Sequence, residues 1–140
     1  RLVGSEMCIR DRAEGTPDPL AAYERLGRAY LAFAREEAAF YAAMFEARLA
    51  PAAHPGLQAA SDAAFGVLRR ATERLIAELP EGRRPPALMI ALHVWSMAHG
   101  IASLFGRPDE SCRKLPMPPE ELLEAGMLVY LQSLGLAGGR

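Results

Sequence analysis

From Pro19 onward the apolar positions of this chain recur with a period near 3.6, interrupted by proline and glycine, and no segment sustains the alternation of two that a strand requires. Asp18 stands where a helix cap belongs and Pro19 where a first helical residue belongs, so a helix is predicted over about 19–35, with Leu20, Tyr23, Leu26, Tyr30, Leu31 and Ala34 on its apolar stripe. A shorter helix over about 37–48 carries Phe40, Tyr41, Met44, Phe45 and Leu49, with Glu36 and Glu37 suited to its positive end. Pro51, Pro55 and Gly56 close that pair, and the connection holds His54. The third helix, over about 57–79, has the cleanest two-sided pattern. Leu57, Ala60, Ala64, Phe65, Leu68, Ala71, Thr72, Leu75, Ile76 and Leu79 oppose Arg69, Arg70, Glu73 and Arg74, as on the surface of a bundle. Pro80-Glu81-Gly82 stops it. The last helix opens at Pro118-Pro119-Glu120-Glu121 and runs to about Leu134, ended by Gly135. Leu123, Met127, Tyr130, Leu131 and Leu134 form one apolar surface on it, while Gly126 and Ser133 allow another helix to approach closely.

The fourth helix is different in kind. Started by Pro85-Pro86 and closed by Gly106, Ala87–Phe105 is apolar nearly all round. Trp95 and His99 lie about 40° apart on one side, with Leu88, Leu92 and Ala102. Ile90, Val94, Met97, Ile101, Leu104 and Phe105 fill the other. Such a helix must be covered on more than one side, and in a chain of 140 residues a second molecule is the economical cover. A membrane span of about 20 residues is the rival reading. His93, Ser96, His99, Gly100 and Ser103 inside the run, and the charged faces of the other helices, speak against it. The predicted fold is all-α, an antiparallel bundle of about five helices without membrane association.

Composition narrows the function classes. The chain has room for one domain; about half its residues are hydrophobic and its net charge is −1, so no overall field directs it to nucleic acid or an anionic membrane. Abundant alanine and arginine favour helix throughout. Two cysteines, Cys8 and Cys112, do not make a disulfide framework, and a reducing cytoplasm is the simplest setting. Met7-Cys8-Ile9-Arg10-Asp11 resembles the in-frame translation of a sequencing-library adapter, and it lacks the apolar core and cleavage site of a signal peptide. The expected division is therefore an adapter segment at 1–12, a linker at 13–17, a domain at 18–136 and a tail at 137–140.

Chemical motifs are few. The sequence has no glycine-rich phosphate loop, no paired-cysteine metal spacing and no nucleophile elbow. His93 and His99 are about 120° apart on their helix and cannot share one metal as an i,i+4 pair does. No cofactor, metal site or catalytic residue is expected, and the chain reads as a non-enzyme. Two readings of His99 stand side by side: a buried ring satisfied by a neighbouring carbonyl or hydroxyl, or a ligand contact pointing into a cavity. Tyr30, Tyr41, Met44, Phe45, Phe65, Met89 and Trp95 divide the same way, because bundle cores and bundle pockets use the same residue types. Together with His99 they are the candidate pocket, suited to a substantially apolar small molecule. A DNA-reading head would need a compact trihelical unit, and the residues ahead of Asp18 are too few for one.

The helix order, with Trp95-x3-His99-Gly100 in the fourth helix, resembles the C-terminal regulatory domain of TetR-family transcriptional regulators. Tyr30-Leu31-Ala32-Phe33-Ala34, Phe40 to Phe45 and Leu131 to Leu134 match in style, and the likeness spans about 18–136. It is to the subgroup named for a Trp-His-Gly motif, which includes mycobacterial helix-turn-helix regulators. The resemblance implies a homodimer through the last two long helices, here assigned to Val94, Ile101, Leu104, Phe105, Leu123, Gly126, Met127 and Tyr130. It also implies an unidentified small-molecule effector held by the first, third and fourth helices, and operator DNA bound only through an N-terminal helix-turn-helix domain, for which adapter-like residues stand here. A standalone helical binding or dimerisation module is the alternative.

Overall fold

The computed structural model describes residues 18–46, 50, 53–106 and 114–137; the adapter-like segment, the linker after it and both cysteines lie outside these, as does most of the expected tail. Every regular element among the described residues is helical: α1 (Pro19–Glu36), α2 (Ala38–Phe45), α3 (Pro55–Ile76), a 3-10 turn (Glu81–Arg83), α4 (Ala87–Phe105) and α5 (Pro119–Ser133). The expected all-α bundle is what forms.

Local chemistry sets the ends. Asp18 accepts a hydrogen bond from the Leu20 amide at 3.0 Å, and Pro19, which has no amide proton to satisfy, fills the first helical position. Arg84 folds back to donate to the carbonyls of Leu79 (2.9 Å) and Ala77 (3.2 Å), supplying partners to the exit of α3. Gly135, at φ +80°, ends α5 in a Schellman arrangement, with its own amide on the Gln132 carbonyl and that of Leu136 on the Leu131 carbonyl, both at 2.9 Å.

α1 is the hub, packed against α2, α3, α4 and α5. Its contact with α3 centres on a buried hydroxyl pair: Tyr23 lies 2.9 Å from Thr72 Oγ1, and Thr72 donates to the Leu68 carbonyl, so Tyr23 is the donor to Thr72. Burial pushes the Tyr23 phenol up to about 12. Its contact with α5 is antiparallel and close, because a Cβ on Gly27 would stand 3.1 Å from Leu123 Cδ2 and 3.3 Å from Met127 Sδ. Arg28 pairs with Glu124 beside this crossing and Arg35 with Glu120 at 2.7 Å, the latter holding the Glu120 carboxyl below its usual range.

α4 and α5 also run antiparallel. His93 Nδ1 lies 2.8 Å from the Tyr130 hydroxyl, and a Cβ on Gly126 would come within 2.8 Å of Met97 Sδ. This packing corrects half of the expected subunit contact. Val94 (3% exposed), Ile101 (8%), Leu123 (1%) and Met127 (1%) are buried inside the subunit, in one cluster with Tyr23, Tyr41, Ile90 and Leu131. The apolar stripe through Leu123 and Met127 meets the gap left by Gly27, so it faces inward. Leu104 is exposed, and Phe105, Gly126 and Tyr130 are half-buried. α4 is long and apolar enough to cross a membrane, yet here it packs against α1, α3 and α5.

Candidate functional site

Between α1, α2, α3 and α4 lies a cavity of about 250 Å³. α1 contributes Tyr23, Leu26, Gly27, Tyr30 and Phe33, and α2 contributes Met44 and Phe45. α3 supplies Ser61, Asp62, Ala64, Phe65 and Leu68, and α4 supplies Leu92, Val94, Trp95 and Ala98. The helices bring aromatic side chains to one place because each carries them on the face turned toward α1. Phe45 and Phe65 flank the Trp95 ring at centroid distances of 5.9 and 5.8 Å, in tilted and edge-on arrangements favoured by aromatic quadrupoles. At the other side of the Trp95 wall, Phe45 meets the His99 ring edge-on at 4.9 Å.

A hydrogen-bond network stands behind the aromatic wall. The Trp95 indole N–H donates to the Tyr30 hydroxyl at 3.3 Å. Tyr30 lies 3.0 Å and Tyr41 2.7 Å from the same His99 nitrogen, Nδ1. Tyr41 also lies 3.1 Å from Ser103 Oγ, and its ring stacks on the imidazole at 5.5 Å. The two hydroxyls converge on the single in-plane site of Nδ1, which accepts from them in the tautomer protonated on Nε2. Burial lowers the His99 pKa, with the Glu46 carboxylate opposing in part, which agrees with a neutral ring. Burial likewise raises the Tyr30 phenol, helped by the neighbouring Tyr41. The hydroxyl of Tyr41 stands between Ser103 and His99, so Ser103 reaches the imidazole only through it.

Of the residues expected at a pocket, Tyr30, Met44, Phe45, Phe65 and Trp95 line the cavity. Tyr41 and His99 are not among the lining residues; they brace its wall, with His99 Nδ1 beside the hydroxyls of Tyr30 and Tyr41. Met89 is elsewhere, 42% exposed on the outer side of α4, because it lies about 120° around the helix from Trp95. The family resemblance implied a cavity held by α1, α3 and α4, whereas α2 also closes it through Met44 and Phe45, both among the candidate residues. Sequence reasoning passed over Ser61 and Asp62, which belong to the polar side of α3 and look like ordinary surface. An i,i+4 hydrogen bond of 2.7 Å from Gln58 to Asp62 was the one legible sign that this carboxylate is held in place.

The neutral His99 has a consequence for stability. Its pKa is lower in the folded chain than the ordinary 6.5, so the unfolded chain takes up the proton first and stability falls as pH drops below that value. We expect the unfolding free energy to decline between pH 7 and 5, and His99→Gln to flatten that decline. Equal slopes in denaturant titrations of both proteins would show that the ring is not the group responsible.

No curated protein and no solved structure matches the chain. Residues 23–130 match the family described as tetracyclin repressor-like, C-terminal domain.

Proposed function

The chain belongs to the tetracyclin repressor-like C-terminal domain family, and on that footing we propose that it is the effector-sensing and dimerising part of a bacterial transcription regulator working in the cytoplasm. The cavity carries the sensing half of this reading. It lies between helices, its walls are Phe, Tyr, Trp and Met, and a rigid network of hydroxyls and imidazole supports them, as suits an apolar small molecule. The Trp95-x3-His99-Gly100 spacing supports assignment to the Trp-His-Gly subgroup, with Trp95 as a cavity wall and His99 as its brace.

The dimerising half rests on the outer side of α4 and α5. Ala87–Phe105 has no charged residue, and Met89 and Leu104 on α4 and Leu128 and Val129 on α5 are exposed. Two copies of such a helix pair bury one another as a four-helix bundle. DNA contact in this reading belongs to a helix-turn-helix domain joined ahead of α1, and a read of the locus upstream of the Ala13 codon tests it. A helix-turn-helix frame there supports the regulator; a start codon near Thr16 favours a standalone module.

The sensing role is tested by filling the cavity. Ala64 is half-buried on its wall, so Ala64→Phe inserts a ring with little change elsewhere. A small aromatic compound at a hundred times its dissociation constant stabilises the native chain by about 2.7 kcal/mol, and the thermal midpoint rises accordingly. We expect that rise in the wild type and its loss in Ala64→Phe. An equal rise in both would place ligand binding outside this cavity.

A further inference from the structure

We propose that the cavity selects an apolar organic cation, with its apolar body among the aromatic rings and its charge at Asp62; this rests on the sensing role proposed above. Among the described residues that line the cavity, Asp62 alone carries a formal charge and none is Lys, Arg or His. The carboxylate is exposed and lies on the wall contributed by α3, so it marks the side open to water. Gln58 donates to its Oδ1 at 2.7 Å, which fixes its direction. A cation bound there keeps its charge hydrated at the mouth and avoids the large cost of moving it into an apolar interior.

The remaining polar groups of the wall point to the same sign of charge. The Tyr23 hydroxyl donates to Thr72, and the Trp95 N–H to Tyr30, whose own hydroxyl faces His99. These donors already have acceptors, and the one further side-chain donor on the wall is the neutral hydroxyl of Ser61, next to Asp62. An anionic ligand would therefore meet the Asp62 carboxylate without a matching cation or a bank of spare donors. Phe65 stands three residues along α3 from Asp62 and lines the same wall, so an aromatic ring lies beside an ammonium group held at the mouth.

The experiment compares three probes of one shape by calorimetric titration of the 140-residue chain. Benzyltrimethylammonium, neopentylbenzene and phenylmethanesulfonate share a benzyl body and differ in head-group charge. We expect the cation to bind roughly three- to tenfold more tightly than the neutral hydrocarbon, the range fitting for an exposed carboxylate aided by aromatic faces. The sulfonate should bind most weakly. Asp62→Asn should erase the preference for the cation, bringing its affinity to that of neopentylbenzene measured on the same variant. Equal binding of cation and hydrocarbon, or a preference that survives Asp62→Asn, overturns the selectivity while the sensing role stands. Failure of all three probes to bind the wild type overturns both.

Discussion

Met127→Arg unfolds the chain. Met127 is 1% exposed on the face of α5 that crosses α1, and the space it occupies exists because Gly27 has no side chain. A guanidinium at this place leaves water without a built partner, at a cost of several kcal/mol, against a total stability of roughly 5–15 kcal/mol for a domain of this kind. Near-UV circular dichroism and thermal melting are the checks. Met127→Leu, which keeps the volume and the apolar character, should melt within a few degrees of the wild type. If Met127→Arg instead keeps the wild-type melting point and only changes sedimentation, Met127 lies between subunits and the packing described for α5 is wrong.

In the dimer proposed above, Val129→Arg is expected to separate the subunits and spare the fold. Val129 is 67% exposed, one helical step away from Leu128 at 43%, on the side of α5 opposite its core stripe. An arginine there costs the isolated subunit almost nothing, but in a dimer it forces an unpaired charge between apolar helices. The expected weakening is about a hundredfold or more in the dimer dissociation constant. Sedimentation at micromolar concentration should show a dimer for the wild type and a monomer for the variant, with unchanged far-ultraviolet dichroism. Unchanged sedimentation would move the contact off α5. Gly126→Leu is a poorer probe of the same surface, because its side chain first meets Met97 of its own subunit.

These two substitutions locate the boundary of what the sequence discloses. Helix positions were legible because proline, Asp18 and Gly135 act locally, through backbone geometry and capping that need no knowledge of neighbours. The aromatic cluster was legible for a related reason: Tyr30, Phe45, Phe65 and Trp95 lie on stripes whose period is a property of the helix. Rotation of α4 and α5 about their axes was not. On α5 the stripes through Leu123 and Met127 and through Leu122 and Val129 are both apolar, and on α4 no charged residue marks a wet side. On α5 the inward stripe is the one that packs closely on Gly27, in a helix about a hundred residues earlier, a contact with no local signature. Asp62 was missed for the opposite reason. Its local pattern is complete as a surface carboxylate, and its place at a cavity depends on where α1 and α4 stand relative to α3.

Trp95 is the chain's one tryptophan. Its ring forms part of the cavity wall, its N–H is held by Tyr30, and an imidazole lies 6.2 Å away. Light emitted by this protein on excitation of tryptophan therefore comes from one indole at one address. Changes in its colour follow the polarity of what fills the cavity, and changes in its brightness follow the charge on the neighbouring ring. The indole lies on the cavity side of α4, so what enters the cavity is read from its emission without any label.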